Sequence, residues 1–214
     1  MARTLEPGTY LVREADPPRQ CPVLVSGFAF RQKHTGEGDR QIIGILIPGE
    51  AVDFQNIYFE VADHSVQMLT RGEVLFVPKE ALQDIVCRRV GVAHAVLLKT
   101  LAEASIFREW ILNVGRRDAR QRLAHVLCEL AVRLDAMGLV EEYRYELPMT
   151  QEQLADALGL TPVHVNRVLK SLEADGLIRR SKRNISFPDW QGLRDAADFN
   201  QRYLHLEHEP TAQN

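Results

Sequence analysis

Hydrogen-bond donors of the kind that read DNA bases are concentrated between residues 161 and 187. Arginine can donate two hydrogen bonds to one guanine, and asparagine can pair with adenine, when a helix carries them into the major groove. Six arginines and lysines oppose Glu173 and Asp175 in this range, so its formal charge is plus four, whereas the whole chain carries −3. A local excess of positive charge favours contact with phosphates. The chemistry that these residues predict is binding to double-stranded DNA.

Two short helices are predicted to position the donors. Thr150 and Gln153 have the spacing of a capping box, which begins a helix by satisfying its unpaired N–H groups. Gly159 can take the left-handed conformation of a tight turn, and Thr161 followed by Pro162 is typical of the start of a second helix. The second helix places valines and leucines on one face and polar residues on the other. A helix-turn-helix is therefore expected, with the second helix as its recognition helix.

The sequence after Gly176 predicts a wing beside these helices. Residues 177–187 alternate between apolar and polar side chains around a polar centre, which is typical of a hairpin. A basic hairpin of this kind can lie along the phosphate backbone. Arg167 is the best candidate for a specific contact with guanine, and Val163 could touch a thymine methyl group. The residues that we predict to contact DNA are Thr150, Thr161, Pro162, Val163, His164, Asn166, Arg167, Lys170, Arg180, Lys182 and Arg183.

A second function is compatible with the same pattern. A winged helix can also serve as a protein-interaction module, in which the basic hairpin docks a polypeptide partner. Binding would then be insensitive to Arg167 and would depend only weakly on salt, whereas binding to DNA falls steeply as the salt concentration rises.

The composition is that of an ordinary soluble chain. A length of 214 residues allows two modest domains, and a hydrophobic content of 45% can fill two cores. No run of about 18 apolar residues and no signal peptide is evident, so we expect a cytoplasmic protein without a membrane partner. Cys21, Cys87 and Cys128 are widely spaced and match neither a disulfide framework nor a zinc site, so we expect reduced thiols.

Short strands are predicted in the first half of the chain. Apolar and polar residues alternate in the segments 21–30, 40–48 and 64–78, which are separated by turn-rich sequence. Strands at this spacing favour a sandwich or a roll. Because helices follow the strands along the chain, the expected fold class is α+β.

A long helix is predicted from residue 91 to residue 116. Its apolar residues cover more than one face, so both sides must be buried. One side could cover the strands, and a stripe at heptad-like spacing could form a two-fold seam in a homodimer. A helix buried within one subunit is the alternative, and Arg108 within the stripe counts against a simple dimer. The residues of the predicted seam are Leu97, Leu101, Ala104, Arg108 and Ile111.

The segments 118–134 and 147–178 resemble those of the CRP/FNR family of transcription regulators, as does the order of the two parts of the chain. The resemblance implies a β-roll sensor domain like a cyclic-nucleotide-binding jelly roll (1–90), a dimerisation helix (91–116), a winged helix-turn-helix domain (117–190) and a C-terminal extension (191–214). It also implies a homodimer whose recognition helices, about 34 Å apart, read a palindromic promoter site. RNA polymerase is the implied partner if the protein activates transcription.

The resemblance leaves the effector unknown. The residues that we predict for an effector pocket are Asp53, His64 and Ser65, but His64 precedes Ser65 where cyclic-nucleotide members have an arginine. Without that arginine a cyclic phosphate lacks its bidentate partner, so we do not expect cAMP to bind. Haem ligation by His64 and activity without any effector are alternatives. An iron–sulfur cluster is not expected, because Cys21 stands alone.

Val163 replaces a glutamate that is common in the family, so the family's usual half-sites are not assumed.

Catalysis is not expected of this chain. The first half lacks the paired histidines of metal-binding cupins, and His205 with His208 lacks the glutamate and the third ligand of a zinc site. Neither a nucleophile elbow nor a glycine-rich phosphate loop is evident. We therefore assign no catalytic residue and no metal ligand.

Overall fold

The computed structural model describes residues 1–140 and 144–206, and it confirms the α+β fold class. The chain divides into two compact units. The first contains Met1–Leu101 and Leu147–Arg167, and the second contains the described residues of Ala102–Glu146 and those from Val168 onward. Two of the three divisions fall inside helices, after Leu101 and after Arg167, and the domain boundaries drawn from the sequence remain predictions. His208 and the end of the predicted extension lie outside the described residues.

Two antiparallel sheets build most of the first unit. One sheet has the strand order β1-β7-β3 and the other the order β2-β6-β4-β5. Because successive side chains of a strand point to opposite faces, each sheet buries one set of apolar residues, among them Leu24, Leu46 and Val66. The strands are β1 (Ala2–Leu5), β2 (Tyr10–Val12), β3 (Gln20–Leu24), β4 (Ala29–His34), β5 (Arg40–Leu46), β6 (Ser65–Met68) and β7 (Gly72–Pro78).

Two consecutive helices follow these strands. Helix α1 (Lys79–Arg88) was not predicted, whereas α2 (Val90–Arg116) confirms the predicted long helix to within one residue. By length and composition alone α2 could cross a membrane, since its most apolar window of 18 residues has a mean hydropathy of 1.4. The sequence contains no uninterrupted apolar run of 18 residues. The helix still has a high mean hydropathy because the mean averages over its polar positions.

Capping residues define the next helices as predicted. Asp118 begins α3 (Ala119–Ala136), where its Oδ1 accepts a hydrogen bond from the Gln121 N–H at 2.9 Å. Thr150 begins α4 (Gln151–Leu158) in the same way, with its Oγ1 3.2 Å from the Gln153 nitrogen. Gly159 then has the left-handed conformation, with φ 62°, and α5 (Pro162–Ala174) follows. The predicted helix-turn-helix is thus present.

A small sheet and a terminal helical segment complete the described chain. The predicted hairpin consists of β9 (Arg179–Ser181) and β10 (Asn184–Ser186), and β8 (Arg144–Glu146), which was not predicted, pairs with the other side of β10. Helix α6 (Trp190–Ala196) and a 3-10 helix (Gln201–Leu204) come last.

Within the first unit, α4 packs against β5, the edge strand of the four-stranded sheet. Arg40 Nη2 lies 2.6 Å from Asp156 Oδ2, and the Gln41 side chain donates to the Ala157 carbonyl at 3.2 Å. The half-buried ion pair and this hydrogen bond attach the first helix of the helix-turn-helix to the strands.

Candidate nucleic-acid interface

Helix α5 is buried on one face and open on the other, as predicted for a recognition helix. Val165 and Leu169 are buried, whereas Val163 is 71% exposed and both Arg167 and Lys170 are exposed. This separation follows from the helical period, which returns to the same face every three or four residues. The open face therefore presents two cationic side chains and one methyl-bearing side chain together.

The start of α5 is fixed by two local hydrogen bonds. Thr161 Oγ1 accepts from the His164 N–H at 3.3 Å, which confirms the predicted cap before Pro162. Asn166 Nδ2 donates to Gln151 Oε1 of α4 at 3.0 Å. This bond occupies one donor of Asn166, but an amide carries a second N–H and an acceptor oxygen that can still meet a base. His164 and Asn166 are both half-buried.

The other end of α5 is held by α3. Arg120 Nη1 donates to Ser171 Oγ at 2.8 Å and lies 2.6 Å from Asp175 Oδ2. No short motif connects Arg120 with these partners, which lie more than fifty residues away along the chain, so Arg120 is not among the predicted site residues. Through this arginine, the orientation of α3 determines the orientation of the second half of α5.

The basic residues of the wing differ in their surroundings. Arg180 forms an ion pair with Glu173, at 2.6 Å, and the hydrogen bond from Arg180 is the main reason why the pKa of Glu173 lies below its usual value. Arg183 lies 3.6 Å from Glu146 on the exposed surface, where such a pair contributes little. Lys182 is exposed in the turn, with φ 56°. Among the described residues, ion pairs involve Arg180 and Arg183 of the predicted wing contacts but not Lys182.

The predicted dimer seam forms a continuous open stripe on α2. Leu101 is 54% exposed, Ile111 is 70% exposed, and Leu97 is also exposed, while Ala104 between them is half-buried. Arg108 is exposed within the stripe and donates to Ser105 Oγ at 2.7 Å. The local bond turns part of this guanidinium towards its own helix. The structure therefore leaves uncovered the face that the sequence predicts to be buried.

The predicted effector residues form a buried polar network in the β-roll. Asp53 is fully buried, and its Oδ1 accepts from Arg31 Nε at 2.6 Å. His64 places Nε2 3.0 Å from the other oxygen of Asp53 and Nδ1 2.7 Å from Asp63 Oδ1. Ser65 is buried too, and its hydroxyl accepts the Glu14 N–H at 2.9 Å. The structure brings together the residues of this predicted site.

Two features of the network were not foreseen. Arg31 is not among the predicted site residues. The sequence signal for it is an arginine between the buried residues at the start of β4. Asp53 adopts φ 55°, a left-handed conformation that favours glycine but that aspartate accepts more readily than most residues. Among the described residues, no group of three or more His, Cys, Asp and Glu side chains could hold a metal ion.

Charge pairing determines the protonation of this network. Burial alone would raise the pKa of Asp53, but the charge of Arg31 and the contact with His64 outweigh it, so the pKa is lowered. Burial would likewise lower the pKa of His64, but its contact with Asp53 raises it above the ordinary value. The arrangement favours a charged carboxylate between two cationic partners.

Comparisons with known proteins agree with this architecture. Residues 2–89 match the cyclic nucleotide-binding domain, and residues 121–196 match the Crp-like helix-turn-helix domain. The chain is 28% identical to the transcriptional activator protein FnrL of Cereibacter sphaeroides over 199 residues, which are 91% of this chain and 79% of that protein. It is 25% identical to the transcriptional activator protein anr of Pseudomonas aeruginosa over 187 residues, 87% of this chain and 76% of that one. The structure of FixK2 from Bradyrhizobium japonicum matches with a TM-score of 0.83, at 23% identity, and covers 92% of this chain and 96% of that chain.

The strands, the long helix and the open face of α5 define a winged helix-turn-helix protein with a β-roll of the cyclic nucleotide-binding type. Regulators of this type bind DNA and act as dimers. The chain belongs to the CRP/FNR family and is a DNA-binding transcription regulator, not an enzyme.

Replacing Asp53 tests whether the buried network stabilises the β-roll. We expect Asp53→Asn to lower the free energy of unfolding by about 3–5 kcal/mol, because Arg31 loses the carboxylate beside it while remaining buried. Urea denaturation measures this change. Asp63→Asn is the matched control, since the Asp63 side chain is 77% exposed and its pairing is expected to contribute less than about 1 kcal/mol.

Wild type and Asp53→Asn should also differ in the pH dependence of their stability. A raised folded-state pKa means that His64 adds stability that is fully present below pH 6.5, its ordinary pKa, and is lost as the pH rises through the folded-state value. Wild type should therefore lose more stability than Asp53→Asn as the pH is raised from 6 to 9. Parallel profiles for the two proteins would show that Asp53 does not hold the proton on His64.

Proposed function

We propose that the protein acts as a homodimer in the cytoplasm, reads a palindromic promoter site through α5, and does so without a phosphate-bearing effector. The observation that carries the proposal is the presence of two open surfaces of different chemistry on one chain. One is the cationic face of α5, and the other is the apolar stripe of α2.

The contacts proposed for DNA follow from the geometry of α5. The exposed Arg167 lies in the first half of the helix, the part that enters the major groove in helix-turn-helix proteins. Its guanidinium can donate two parallel hydrogen bonds to a guanine. Val163, one turn earlier and on the same open face, can meet a thymine methyl group. Lys170 and Lys182 can neutralise phosphates, and contacts with phosphates position a protein on DNA without reading its sequence.

The dimer is proposed because the stripe on α2 follows a heptad spacing of alternating four- and three-residue steps. A second copy of α2 would cover Leu97, Leu101 and Ile111 together. These exposed apolar residues also contribute to the high mean hydropathy that would allow α2 to cross a membrane. Burying the charge of Arg108 in lipid would be costly, however. In a two-fold seam Arg108 can extend its charge to the edge of the interface.

The β-roll is proposed to be complete without a cyclic nucleotide. A cyclic phosphate needs a cationic partner in the pocket, and the buried Arg31 already faces the Asp53 carboxylate at 2.6 Å. A second anion beside Asp53 would be repelled. The residues present therefore do not fit a cyclic nucleotide. Haem fits no better, because both ring nitrogens of His64 face carboxylates and neither is directed at an open coordination position.

RNA polymerase is proposed as a further partner. The similar proteins FnrL and anr are named transcriptional activators, and activation requires contact with the transcription machinery, whereas repression requires only occupancy of a promoter.

Substitutions in α5 and the wing test the DNA interface. After selection of the preferred duplex from a random pool, Arg167→Ala should weaken binding about 10- to 100-fold, the value of one bidentate contact, and relax the preference at one base pair. Lys182→Ala should weaken binding to all sequences alike and reduce the salt slope by about 1. Arg71→Ala is the control, because Arg71 is an exposed arginine of the β-roll. Unchanged binding by Arg167→Ala would favour the alternative of a protein-docking winged helix.

A charge in the stripe tests the dimer. We expect Leu101→Lys to convert the protein into a monomer, because two lysines would face each other across the seam. Analytical ultracentrifugation measures the mass, and binding to the palindrome should fall while binding to a single half-site persists. Val61→Lys is the control, since Val61 is 54% exposed on a loop of the β-roll. A dimer that survives Leu101→Lys would place the seam elsewhere.

Titration with cAMP tests the effector proposal. Isothermal calorimetry should detect no binding, and the affinity for the selected duplex should be the same in the presence and absence of the nucleotide. A ligand changes an equilibrium only when it binds two states differently. Binding of cAMP with a change in DNA affinity would contradict the proposal.

A further inference from the structure

We propose that the segment 197–206 is a clasp that sets the angle between α2 and α3, and thereby the spacing of the two recognition helices in the dimer. The role proposed for the clasp depends on the dimeric DNA binding proposed above. The match to the Crp-like helix-turn-helix domain ends at residue 196, so the clasp lies beyond the matched domain. Its contacts with α2 and α3 lie within the second compact unit.

The central contact of the clasp is a buried carboxylate shared by three elements. Glu129 of α3 is 1% exposed. Its Oε2 accepts from Trp110 Nε1 of α2 at 3.1 Å and from the Tyr203 hydroxyl of the clasp at 2.8 Å. Arg133 Nη1, one turn along α3, lies 3.2 Å from the other oxygen. Because a buried carboxylate is stable only when donors surround it, these bonds hold α2, α3 and the clasp in one arrangement.

Aromatic packing fixes the clasp along α3. Burial and the nearby charge of Glu129 raise the pKa of Tyr203, so the phenol stays protonated and donates its hydrogen. Burial, with the charge of Arg117, lowers the pKa of His125 to about 3, so this imidazole is neutral near pH 7. The His125 ring stacks on Tyr203 with 5.7 Å between centroids and meets Phe199 edge-on at 5.3 Å. Such ring pairs favour one geometry over others.

A second contact lies at the junction between α2 and α3, which we call the elbow. Arg117 follows the last residue of α2 and precedes Asp118, the cap of α3. It is buried, and its Nη2 donates to Glu109 Oε1 of α2 at 2.6 Å and to the Asp198 carbonyl of the clasp at 3.3 Å. Further along, His205 Nε2 lies 3.1 Å from Ser105 Oγ of α2. The clasp is therefore bonded to α2, to α3 and to the residue between them.

The elbow angle is transmitted to the recognition helix. Arg120, in the first turn of α3, binds Ser171 and Asp175 at the end of α5, so the second half of α5 follows α3. A helix of 13 residues is about 20 Å long, and a rotation of about 10° would displace its far end by about 3–4 Å. That displacement is comparable with the rise of one base pair, about 3.4 Å. A small change at the elbow would consequently shift the preferred spacing of half-sites.

The test compares the dimer with two substitutions of Tyr203. Tyr203→Phe removes only the hydroxyl that donates to Glu129, and Tyr203→Ala also removes the ring. Affinities are measured for the palindrome that wild type selects, for versions whose half-sites are moved by one base pair, and for a single half-site. The spacing preference is the ratio of the affinities for the selected palindrome and for the shifted versions. We expect this ratio to fall about tenfold in Tyr203→Ala and less in Tyr203→Phe. The scale of these losses is that of one hydrogen bond to a buried charge. Affinity for a single half-site should not change.

Tyr58→Phe provides the matched control, because it removes a hydroxyl from a ring of the first unit that is 63% exposed. Hydrogen exchange of the backbone amides at 113–122 gives a readout without DNA, and it should accelerate in the Tyr203 variants but not in the control. Where Tyr203→Ala does not fold, Tyr203→Phe decides, since the ring is kept.

The outcomes separate the clasp from the function on which it rests. An unchanged spacing preference in a folded Tyr203 variant would overturn the role proposed for the clasp and leave the proposal of dimeric DNA binding intact. Equal losses for the palindrome and the single half-site would also overturn it, because they would assign Tyr203 to general stability alone. If wild type selects no paired half-sites, the dimeric reading fails, and the clasp fails with it.

Discussion

A charged side chain can be buried only where other groups of the chain donate to it, and two carboxylates impose this constraint on the protein. In the first unit, Asp53 faces both Arg31 and His64. In the second unit, Glu129 accepts from Tyr203 and from α2. Each carboxylate joins segments that are far apart along the chain. Apolar packing tolerates many arrangements of similar volume, so these directed bonds make the observed arrangement the specific one.

The two surfaces that remain open have opposite chemistry, and the proposed assembly satisfies both. The stripe of α2 is apolar and would be covered by another apolar surface, whereas the face of α5 is cationic and suits phosphates and base edges. A dimer formed through α2 necessarily doubles α5, which converts one short recognition helix into a reader of paired half-sites. The self-paired network of the β-roll fits such a protein, since its cations are already opposed by its own carboxylate.

Much of the helix-turn-helix could be predicted because its signals are local. The capping boxes at Asp118 and Thr150, the left-handed Gly159 and the apolar period of α5 depend on residues only a few positions apart. The alternation in the first half likewise predicted short strands. The strand β8 was missed because three residues have little intrinsic preference, and it is stabilised by pairing with β10, forty residues further along the chain.

The sequence by itself determined the class of fold, the polarity of α5 and its basic character, because helical period, caps and charge are properties of neighbouring residues. Only the tertiary structure decided which distant groups meet. Arg31 and Asp53 are 22 positions apart, and Tyr203 and Glu129 are 74 apart. No short-range signal connects such pairs. They form because folding removes both partners from water together, and a buried charge then requires whichever donors the packed elements bring within reach.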